Sequence, residues 1–225
     1  MLFRSLHAED GRLAAVFGVQ QNSGQGCFLP TRVLVHRSLY EQVVDRLVAT
    51  AKGFTLGDPF DPATSMGPVA GEGSCTRILR VIERARAGRE GTLLTGGGRP
   101  EGPLAAGAFV EPTVFGEVDP ASRLAHEEIF GPVLAVTAFD DEDEAVRLAN
   151  GTRYGLAGYI WTNDLRRAHR VSAALEAGYI SVNGMAGLAP SAPFGGWGGS
   201  GHGVEGGRWG LDEFLRIKNV HVSLR

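Results

Sequence analysis

The residue best suited to chemistry is Cys27, the last residue of the segment Asn22-Ser23-Gly24-Gln25-Gly26-Cys27. This segment lies between a predicted helix and a predicted strand. Two glycines in such a loop let a backbone or a substrate approach closely and leave the sulfur accessible. A cysteine thiolate is both a strong nucleophile and a good leaving group, which suits covalent catalysis. The alternative is an ordinary half-buried thiol, and the local sequence leaves both interpretations open.

Other chemical motifs lack the context that they need. Gly196-x-Gly198-x-x-Gly201 and Gly201-x-Gly203-x-x-Gly206 match the dinucleotide-binding pattern, but they follow no strand and open no βαβ unit. A structural loop is therefore favoured. The segment His126-Glu127-Glu128-Ile129-Phe130 begins like the zinc-protease helix motif, but Phe130 stands where the second metal ligand must be. The two cysteines form no C-x-x-C pair. We therefore predict no metal site and no disulfide framework.

Length and composition exclude several classes of protein. A chain of 225 residues, 43% hydrophobic and 21% charged, fits one large or two small globular domains. Its formal charge of -3 and lack of a basic block give nucleic acids and anionic membranes nothing to bind. No apolar run approaches the roughly 18 residues of a membrane span, and residues 1–4 are too short for a signal peptide. We predict a soluble cytoplasmic protein.

The elements that must position Cys27 follow from hydrophobic periodicity. Helices are predicted over residues 8–21, 38–53, 73–88, 141–150, 164–177 and 207–214. Strands are predicted over residues 32–36, 92–95, 109–115, 133–139, 156–162 and 179–183, and in the alternating run 217–224. This order predicts an α/β fold, with an open, mostly parallel twisted sheet flanked by helices and a C-terminal strand arm. In such sheets we expect ligands at the carboxyl ends of the strands.

Residues 21–32 resemble the nucleophile signature of the aldehyde dehydrogenase superfamily, N-x-G-Q-x-C-x-x-x-x-R. Further blocks that resemble the superfamily follow in the same order. They are Gly57-Asp58-Pro59, Gly67-Pro68, Glu111-Pro112-Thr113, Glu127-Glu128-Ile129-Phe130-Gly131-Pro132-Val133, Tyr154-Gly155-Leu156, Val182-Asn183 and Pro193-Phe194-Gly195-Gly196. The resemblance runs almost end to end and covers the C-terminal, catalytic half of the superfamily. It implies a catalytic α/β domain over residues 1–206 and a helix and strand arm over 207–225.

The resemblance implies NAD- or NADP-dependent oxidation of a small-molecule aldehyde to a carboxylic acid. Cys27 would be the nucleophile that forms a thiohemiacetal and then a thioester, and its backbone N–H would contribute to the oxyanion hole. Glu128 is similar to the glutamate that binds the nicotinamide ribose, and Phe130 to the aromatic residue beside the nicotinamide. The alternatives are a capped turn for Glu128 and a core aromatic for Phe130.

Three further residues resemble site positions of the superfamily. Phe28 and Phe194 match substrate-pocket positions, and Asn183 matches a residue that supports the catalytic loop. Each has a structural alternative, because the two aromatic rings could serve only in packing and Asn183 could simply end a strand.

The departures from the superfamily are equally informative. Only 26 residues precede Cys27, and they contain no E-L-G-G-K block, which carries the superfamily's catalytic glutamate. Glu9 is near in sequence, but nothing else recommends it as a base. Leu29 replaces a usually small residue and could crowd the loop. The N-terminal cofactor-binding domain also lies upstream, so we expect a truncated half that is inactive alone and has little affinity for NAD or NADP.

Three hypotheses follow from this comparison. In the first, the chain is the catalytic half of an aldehyde dehydrogenase and needs a partner chain that supplies the N-terminal half. In the second, it is a stand-alone cysteine esterase that uses Cys27. In the third, it is a non-catalytic oligomerisation or remnant protein whose C-terminal run pairs with a second copy, and a homodimer is expected.

Overall fold

A computed structural model describes residues 2–3, 14, 16–185 and 188–224 of the chain. Its strands are β1 (Leu2–Phe3), β2 (Arg32–His36), β3 (Thr92–Thr95), β4 (Thr113–Gly116), β5 (Val133–Phe139), β6 (Tyr154–Gly155), β7 (Ala157–Trp161), β8 (Tyr179–Val182), β9 (Phe194–Gly195), β10 (Trp197–Gly198) and β11 (Val204–Glu205). Its α-helices are α1 (Tyr40–Lys52), α2 (Glu72–Ala87), α3 (Arg123–His126), α4 (Glu142–Asn150), α5 (Leu165–Ala174) and α6 (Gly207–Asp212).

Seven strands form the main sheet, in the order β3-β4-β5-β2-β1-β7-β8. All neighbouring pairs are parallel except β3 with β4, which is an antiparallel edge pair. The predicted α/β fold with an open, mostly parallel sheet is therefore confirmed. Two small antiparallel pairs, β6 with β10 and β9 with β11, lie outside this sheet.

The sheet is buried on both faces, which explains its almost continuously apolar strands. Val33 and Val35 of β2 pack on one face, in a cluster that includes Leu47 of α1. Leu34 lies on the other face, in a cluster that includes Phe139 of β5. Since successive side chains of a strand point to opposite faces, one five-residue strand contributes to two cores.

Aspartate side chains cap the starts of two helices. Asp141 accepts a hydrogen bond from the Glu144 N–H at the start of α4, and Asp164 accepts one from the Arg167 N–H at the start of α5. Ser38, the first residue of the helix predicted over 38–53 and its expected cap, does not cap α1, which begins at Tyr40. The ring of His36 instead accepts from the Ser38 N–H and caps a short 3₁₀ turn that leads into α1.

Two predicted strands differ in the structure. The strand predicted over 109–115 begins only at Thr113, because Pro112 has no N–H to donate to a neighbouring strand. The alternating run 217–224 forms no strand, since no other described segment hydrogen-bonds to it as a ladder. The division into residues 1–206 and 207–225 stays a prediction.

The helix predicted over residues 8–21 lies mostly outside the described residues. Its described end is a π-helical turn over Val16–Gln20, followed by a 3₁₀ turn over Gln21–Gly24. The helical hydrogen bonding therefore changes from the π to the 3₁₀ type just before Cys27. In the part of the chain that the structure describes, no helix is long and apolar enough to cross a membrane.

The ion pairs of Glu142 make fold stability dependent on pH. Arg170 and Arg167 donate to the Glu142 carboxylate at 2.5 Å and 3.1 Å, and Arg170, against the opposing effect of burial, gives the largest contribution to lowering the pKa of Glu142. A carboxyl group whose pKa is lower in the folded state stabilises the fold above its unfolded pKa. This contribution is lost as the pH falls through the folded pKa.

We predict that Glu142→Gln lowers the free energy of unfolding at pH 7 by about 1 kcal/mol, because the variant loses these charge-assisted hydrogen bonds. The difference from the wild type should decrease as the pH falls from about 5 to about 3. Urea denaturation across this range measures it. Glu83→Gln is the matched control, because Glu83 forms only an exposed pair with Arg86. A Glu142→Gln effect of equal size at pH 7 and pH 3 would contradict this assignment.

Candidate functional site

Cys27 lies at the end of the sheet where the strands begin. It is exposed on the loop that enters β2, and Glu128 is exposed on the loop that enters β5. Both residues line one open cleft of about 180 Å³, together with the first residues of β2 and β7. The expectation of ligands at the carboxyl ends of the strands is wrong for these two residues. They lie on loops that precede their strands, so the chain brings them together at the amino ends of the strands.

The loop that carries Cys27 packs directly on the loop that carries Glu128 and Phe130. Gly24 has a φ of +70°, and a Cβ atom at this position would overlap the carbonyl group of Gly131. Glycine is therefore required here both by the backbone conformation and by the close approach. Phe130 has a φ of 51°, which is unusual for an aromatic residue, and its carbonyl accepts a hydrogen bond from Arg77.

The two adjacent glutamates of this second loop have different surroundings. Glu127 accepts hydrogen bonds from Arg84 at 2.6 Å and from Arg123 at 3.2 Å, so its carboxylate is used within the protein. Burial lowers the pKa of Arg84, but hydrogen bonds to Glu127 and Glu90 outweigh it, and the net pKa is raised. Glu127 thus holds the loop against α2 and α3, while Glu128 remains exposed at the cleft.

Tyr159 is a site residue that the sequence analysis missed. It lies in the middle of β7, is 2% exposed, and donates a hydrogen bond from its hydroxyl to the Phe28 carbonyl at 2.8 Å. Burial, followed by the proximity of Tyr179 and Cys27, raises the pKa of Tyr159, so the hydroxyl stays protonated and remains a donor. The available signal was a tyrosine in a buried strand, since a buried phenol needs a hydrogen-bond partner.

Phe28 and Phe194, both predicted at the substrate pocket, contact each other in the structure, but neither lines the cleft that holds Cys27 and Glu128. Their rings form an edge-to-face pair with centroids 6.4 Å apart. Tyr179 forms a second edge-to-face contact with Phe194 at 5.9 Å, and it also contacts Tyr159. Cys27 is therefore followed directly by a cluster of aromatic rings. Each aromatic pair stabilises the fold by about 0.5–1.5 kcal/mol, so packing is by itself a sufficient role for these rings. Contact of these rings with a substrate stays a prediction.

Asn183 ties the ends of two strands together. Its side-chain oxygen accepts from the Thr162 N–H at 2.8 Å, and its side-chain nitrogen donates to the Thr162 carbonyl at 2.8 Å. The residue has a φ of 54°, a conformation that asparagine tolerates better than most residues. These contacts extend the pairing of β7 with β8 at their carboxyl ends. The predicted support of the catalytic loop by Asn183 stays a prediction.

Arg32, the last residue of the nucleophile signature, has a structural role. Its guanidinium group donates to the carbonyls of Leu148 at 2.9 Å and Ala149 at 3.4 Å, in the last turn of α4. Cations are favourable at a helix C-terminus, where carbonyl groups lack intrahelical partners. Burial lowers the pKa of Arg32, but an arginine with its high reference pKa stays charged. Arg32 thereby fixes the start of β2 to the end of α4.

Leu29 does not crowd the loop that carries Cys27, because Gly26 lies opposite it without a side chain. Leu29 is buried, and its side chain occupies the space that a Cβ atom of Gly26 would need. Glu9, the nearest carboxylate in sequence, lies outside the described residues. Among the residues that the structure describes, no group of three or more His, Cys, Asp or Glu side chains is arranged to hold a metal ion.

Comparisons with known proteins agree with this geometry. The model of the aldehyde dehydrogenase family matches residues 8–220. The chloroplastic betaine aldehyde dehydrogenase of Atriplex hortensis is 40% identical over 98% of this chain and 43% of its own length. The betaine aldehyde dehydrogenase of Cereibacter sphaeroides is 41% identical over 100% of this chain and 46% of its own.

A solved structure of betaine aldehyde dehydrogenase from Staphylococcus aureus, in complex with NAD⁺ and with a BME-modified cysteine, superimposes with a TM-score of 0.92. It is 36% identical and covers 96% of this chain and 44% of that one. The chain thus spans less than half the length of the proteins to which it is similar.

We predict that Tyr159→Phe lowers the free energy of unfolding by about 1 kcal/mol, because the Phe28 carbonyl loses its donor while the packing of the ring is kept. Urea denaturation measures this change. Tyr154→Phe is the matched control, since the Tyr154 hydroxyl is bonded only at the surface, to Arg153. If Tyr159→Phe were as stable as the wild type, the hydrogen bond to Phe28 would have no net effect on stability.

Proposed function

The chain belongs to the aldehyde dehydrogenase family of oxidoreductases, and on that premise we propose that it is the catalytic half of an enzyme that oxidises an aldehyde to a carboxylic acid. The observation that carries the proposal is the shared cleft of Cys27 and Glu128. It contains an exposed thiol, and an exposed carboxylate stands on a loop held against the loop of that thiol. The proposed nucleophile and the proposed cofactor contact thus line the same cleft.

In the proposed reaction, the Cys27 thiolate forms a carbon–sulfur bond to the aldehyde carbonyl carbon and gives a thiohemiacetal. NAD(P)⁺, when bound, supplies the acceptor for the hydride that leaves this carbon. Water then attacks the resulting thioester, and cleavage of the carbon–sulfur bond releases the carboxylic acid and restores Cys27. The Cys27 backbone N–H would stabilise the negative oxygen during both additions.

The residues present suit the nicotinamide end of the cofactor. The Glu128 carboxylate is exposed at the cleft and can accept hydrogen bonds from ribose hydroxyls. The Phe130 ring is partly exposed on the same loop and offers a flat apolar surface. We propose these two residues as the contacts of this chain with NAD or NADP, and we propose that the upstream half of the family supplies the remaining contacts.

The middle of the sheet supports the proposal of an upstream half. β1 pairs only with Leu34 and Val35 of β2 on one side and with Ile160 and Trp161 of β7 on the other. The starts of β2 and β7, including Arg32 and Gly158, line the open cleft instead. We propose that an extended segment of the upstream half, in this or in a second polypeptide, lies along this cleft and brings the general base to Cys27.

The aldehyde substrate would contact the aromatic rings beside Cys27. We propose that Phe28 and Phe194 line the substrate pocket, since one directly follows the nucleophile and the other packs edge-to-face on it. Several relatives are named for betaine aldehyde and aminoaldehydes. An aldehyde with an ammonium group at its far end suits such a pocket, because aromatic ring faces attract cations.

We also propose a cytoplasmic location, from the sequence alone.

The C-terminal run supports a proposal about assembly. Large apolar side chains are exposed along it and along the residues from α6 that precede it, namely Leu211, Phe214, Leu215, Ile217, Val220, Val222 and Leu224. So many exposed large apolar side chains in one segment favour an interaction site. We propose that a second copy of the chain covers it, which gives a homodimer.

We predict that these 225 residues alone do not oxidise betaine aldehyde with NAD⁺ or NADP⁺, because they span less than half the length of the relatives that they match. Activity should appear when the missing upstream residues of the Cereibacter sphaeroides enzyme are fused or co-expressed with it. In the complemented enzyme, Cys27→Ser should reduce kcat by about 10³-fold or more. Absorbance of NADH or NADPH at 340 nm measures the reaction. Cys75→Ala is the matched control, because Cys75 is buried away from the cleft.

An ester-hydrolysis assay on the same chain alone distinguishes the esterase hypothesis from the proposed aldehyde oxidation. Hydrolysis of 4-nitrophenyl acetate that is lost in Cys27→Ala would support a stand-alone thiol esterase. Robust aldehyde oxidation by the chain alone, or oxidation by the complemented enzyme that survives Cys27→Ser, would overturn the proposed function.

We predict that the chain sediments as a dimer at micromolar concentration and that the double variant Phe214→Asp, Ile217→Asp sediments as a monomer. The introduced charges cannot be buried in an apolar interface. Analytical ultracentrifugation measures this. Leu165→Asp is the matched control, since Leu165 is an exposed leucine on α5 outside the C-terminal run. A wild-type monomer would contradict the proposed homodimer.

A further inference from the structure

The turn before Cys27 contains three successive left-handed residues. Asn22 has φ, ψ of 49°, 28°, Ser23 has 53°, 41°, and Gly24 has a φ of 70°. Left-handed residues occur singly in most proteins, because the Cβ atom approaches the next carbonyl oxygen too closely. Glycine is free of this penalty, and asparagine tolerates it. Ser23 is thus the member of the turn whose residue type does not explain its conformation.

Three side chains around this turn bind one neighbouring segment, residues 65–70, which we call the strap. Gln20 donates to the Ser65 carbonyl at 2.9 Å, and the Ser23 hydroxyl donates to the Gly67 carbonyl at 2.8 Å. The side-chain oxygen of Gln25 accepts from the Ala70 N–H at 2.8 Å. Ser23 is the central one of the three and is only 4% exposed, so its hydrogen bond is protected from water.

The strap is itself fixed to the body of the protein. The Ser65 N–H donates to the Thr55 carbonyl at 2.9 Å, and the Val69 N–H donates to the Ala108 carbonyl at 2.9 Å. Met66 and Val69 are buried in the two clusters on either side of the strap. A hydrogen bond to the strap therefore joins the turn to a rigid partner.

A strained backbone persists only where its surroundings hold it, and such strain concentrates at functional sites. Resting on the proposed function of Cys27 as nucleophile, we propose that Ser23 is a positioning residue. Its hydroxyl holds the left-handed turn against the strap, and the turn in turn fixes the direction in which the Cys27 thiol points into the cleft. Without the hydroxyl, a residue with a Cβ atom at position 23 returns to a right-handed or extended conformation, and the loop that carries Cys27 samples more than one orientation.

The test compares Ser23→Ala with Ser23→Gly. Both variants lose the hydroxyl, but alanine keeps the steric penalty of the left-handed conformation and glycine does not. Cys27 is labelled with 3-bromo-1,1,1-trifluoroacetone, while buried Cys75 stays unlabelled, and the ¹⁹F NMR spectrum reports the orientations of the loop. We expect one narrow resonance for the wild type, additional or broadened resonances for Ser23→Ala, and a spectrum closer to the wild type for Ser23→Gly.

An unchanged spectrum of Ser23→Ala would overturn the proposal, and so would a Ser23→Gly spectrum as heterogeneous as that of Ser23→Ala. A merely structural role of the hydroxyl predicts the latter outcome, since glycine also destabilises the fold. If circular dichroism shows that Ser23→Ala does not fold, the pair Gln25→Ala and Gln25→Glu replaces it. Glutamate keeps the oxygen that accepts from Ala70 and should restore the single resonance, whereas alanine should not.

This experiment is independent of the oxidation assay. The label needs only the thiol. A heterogeneous wild-type spectrum would therefore contradict the positioning role of Ser23 without contradicting the proposed aldehyde oxidation. In the complemented enzyme, Ser23→Ala should lower kcat by about tenfold with little change in the KM for the aldehyde. Equal kcat values for the wild type and Ser23→Ala would also contradict the positioning role.

Discussion

The contact between the backbones of Gly24 and Gly131 is the constraint on which the site depends. It allows the loop that enters β2 and the loop that enters β5 to lie against each other without a side chain between them. The two strands are neighbours in the sheet, but adjacent strands do not by themselves bring their preceding loops together. A methyl group at Gly24 would separate the loops and move Cys27 away from Glu128. The arrangement of the cleft is therefore set by the absence of side-chain atoms at one point.

The loops of the site and the strand that follows one of them are also held by side chains from different parts of the fold. Arg32 binds the end of α4, Tyr159 of β7 binds the residue after Cys27, and Arg84 of α2 binds Glu127. Tyr159 and Arg84 each reach a loop from a packed element, Arg32 fixes the strand that follows the Cys27 loop to a helix, and most of the partners are backbone carbonyls. Such contacts determine where a peptide group lies and leave the neighbouring side chains free. This explains how the candidate groups Cys27 and Glu128 can both stay exposed on loops that are themselves well anchored.

Much of the fold follows from the sequence, because the periodic elements carry their own signals. β5 is a continuous apolar run, and α4 begins at an aspartate cap, so both are visible without a structure. The alternation in residues 217–224 was misleading, since alternation indicates two different faces but does not supply a partner strand. The end of the strands at which Cys27 and Glu128 lie also differs from the prediction, which was the carboxyl end. It depends on which loops are close in space, and no local pattern encodes that.

The site was predictable where a motif names a residue and unpredictable where geometry alone gives it a role. Cys27, Glu128 and Phe130 are candidates named by their blocks, and the structure brings Cys27 and Glu128 to one cleft. Tyr159 could be found only once the course of β7 under the loop was known. The left-handed conformation of Ser23 has no local signal at all, because serine has no preference for it and its partner lies 44 residues further along the chain.

The packing of Leu29 over Gly26 links the evolution of these two positions. Leu29 fills the volume that any side chain at position 26 would need, so a larger residue at 26 is accepted only after residue 29 has become smaller. In a scan of single substitutions, enlargements at 26 should therefore be rejected even where the same enlargement is tolerated beside a small residue 29. A substitution at position 29 must then come before an enlargement at position 26, so the order of substitutions limits which loop sequences can evolve from this one.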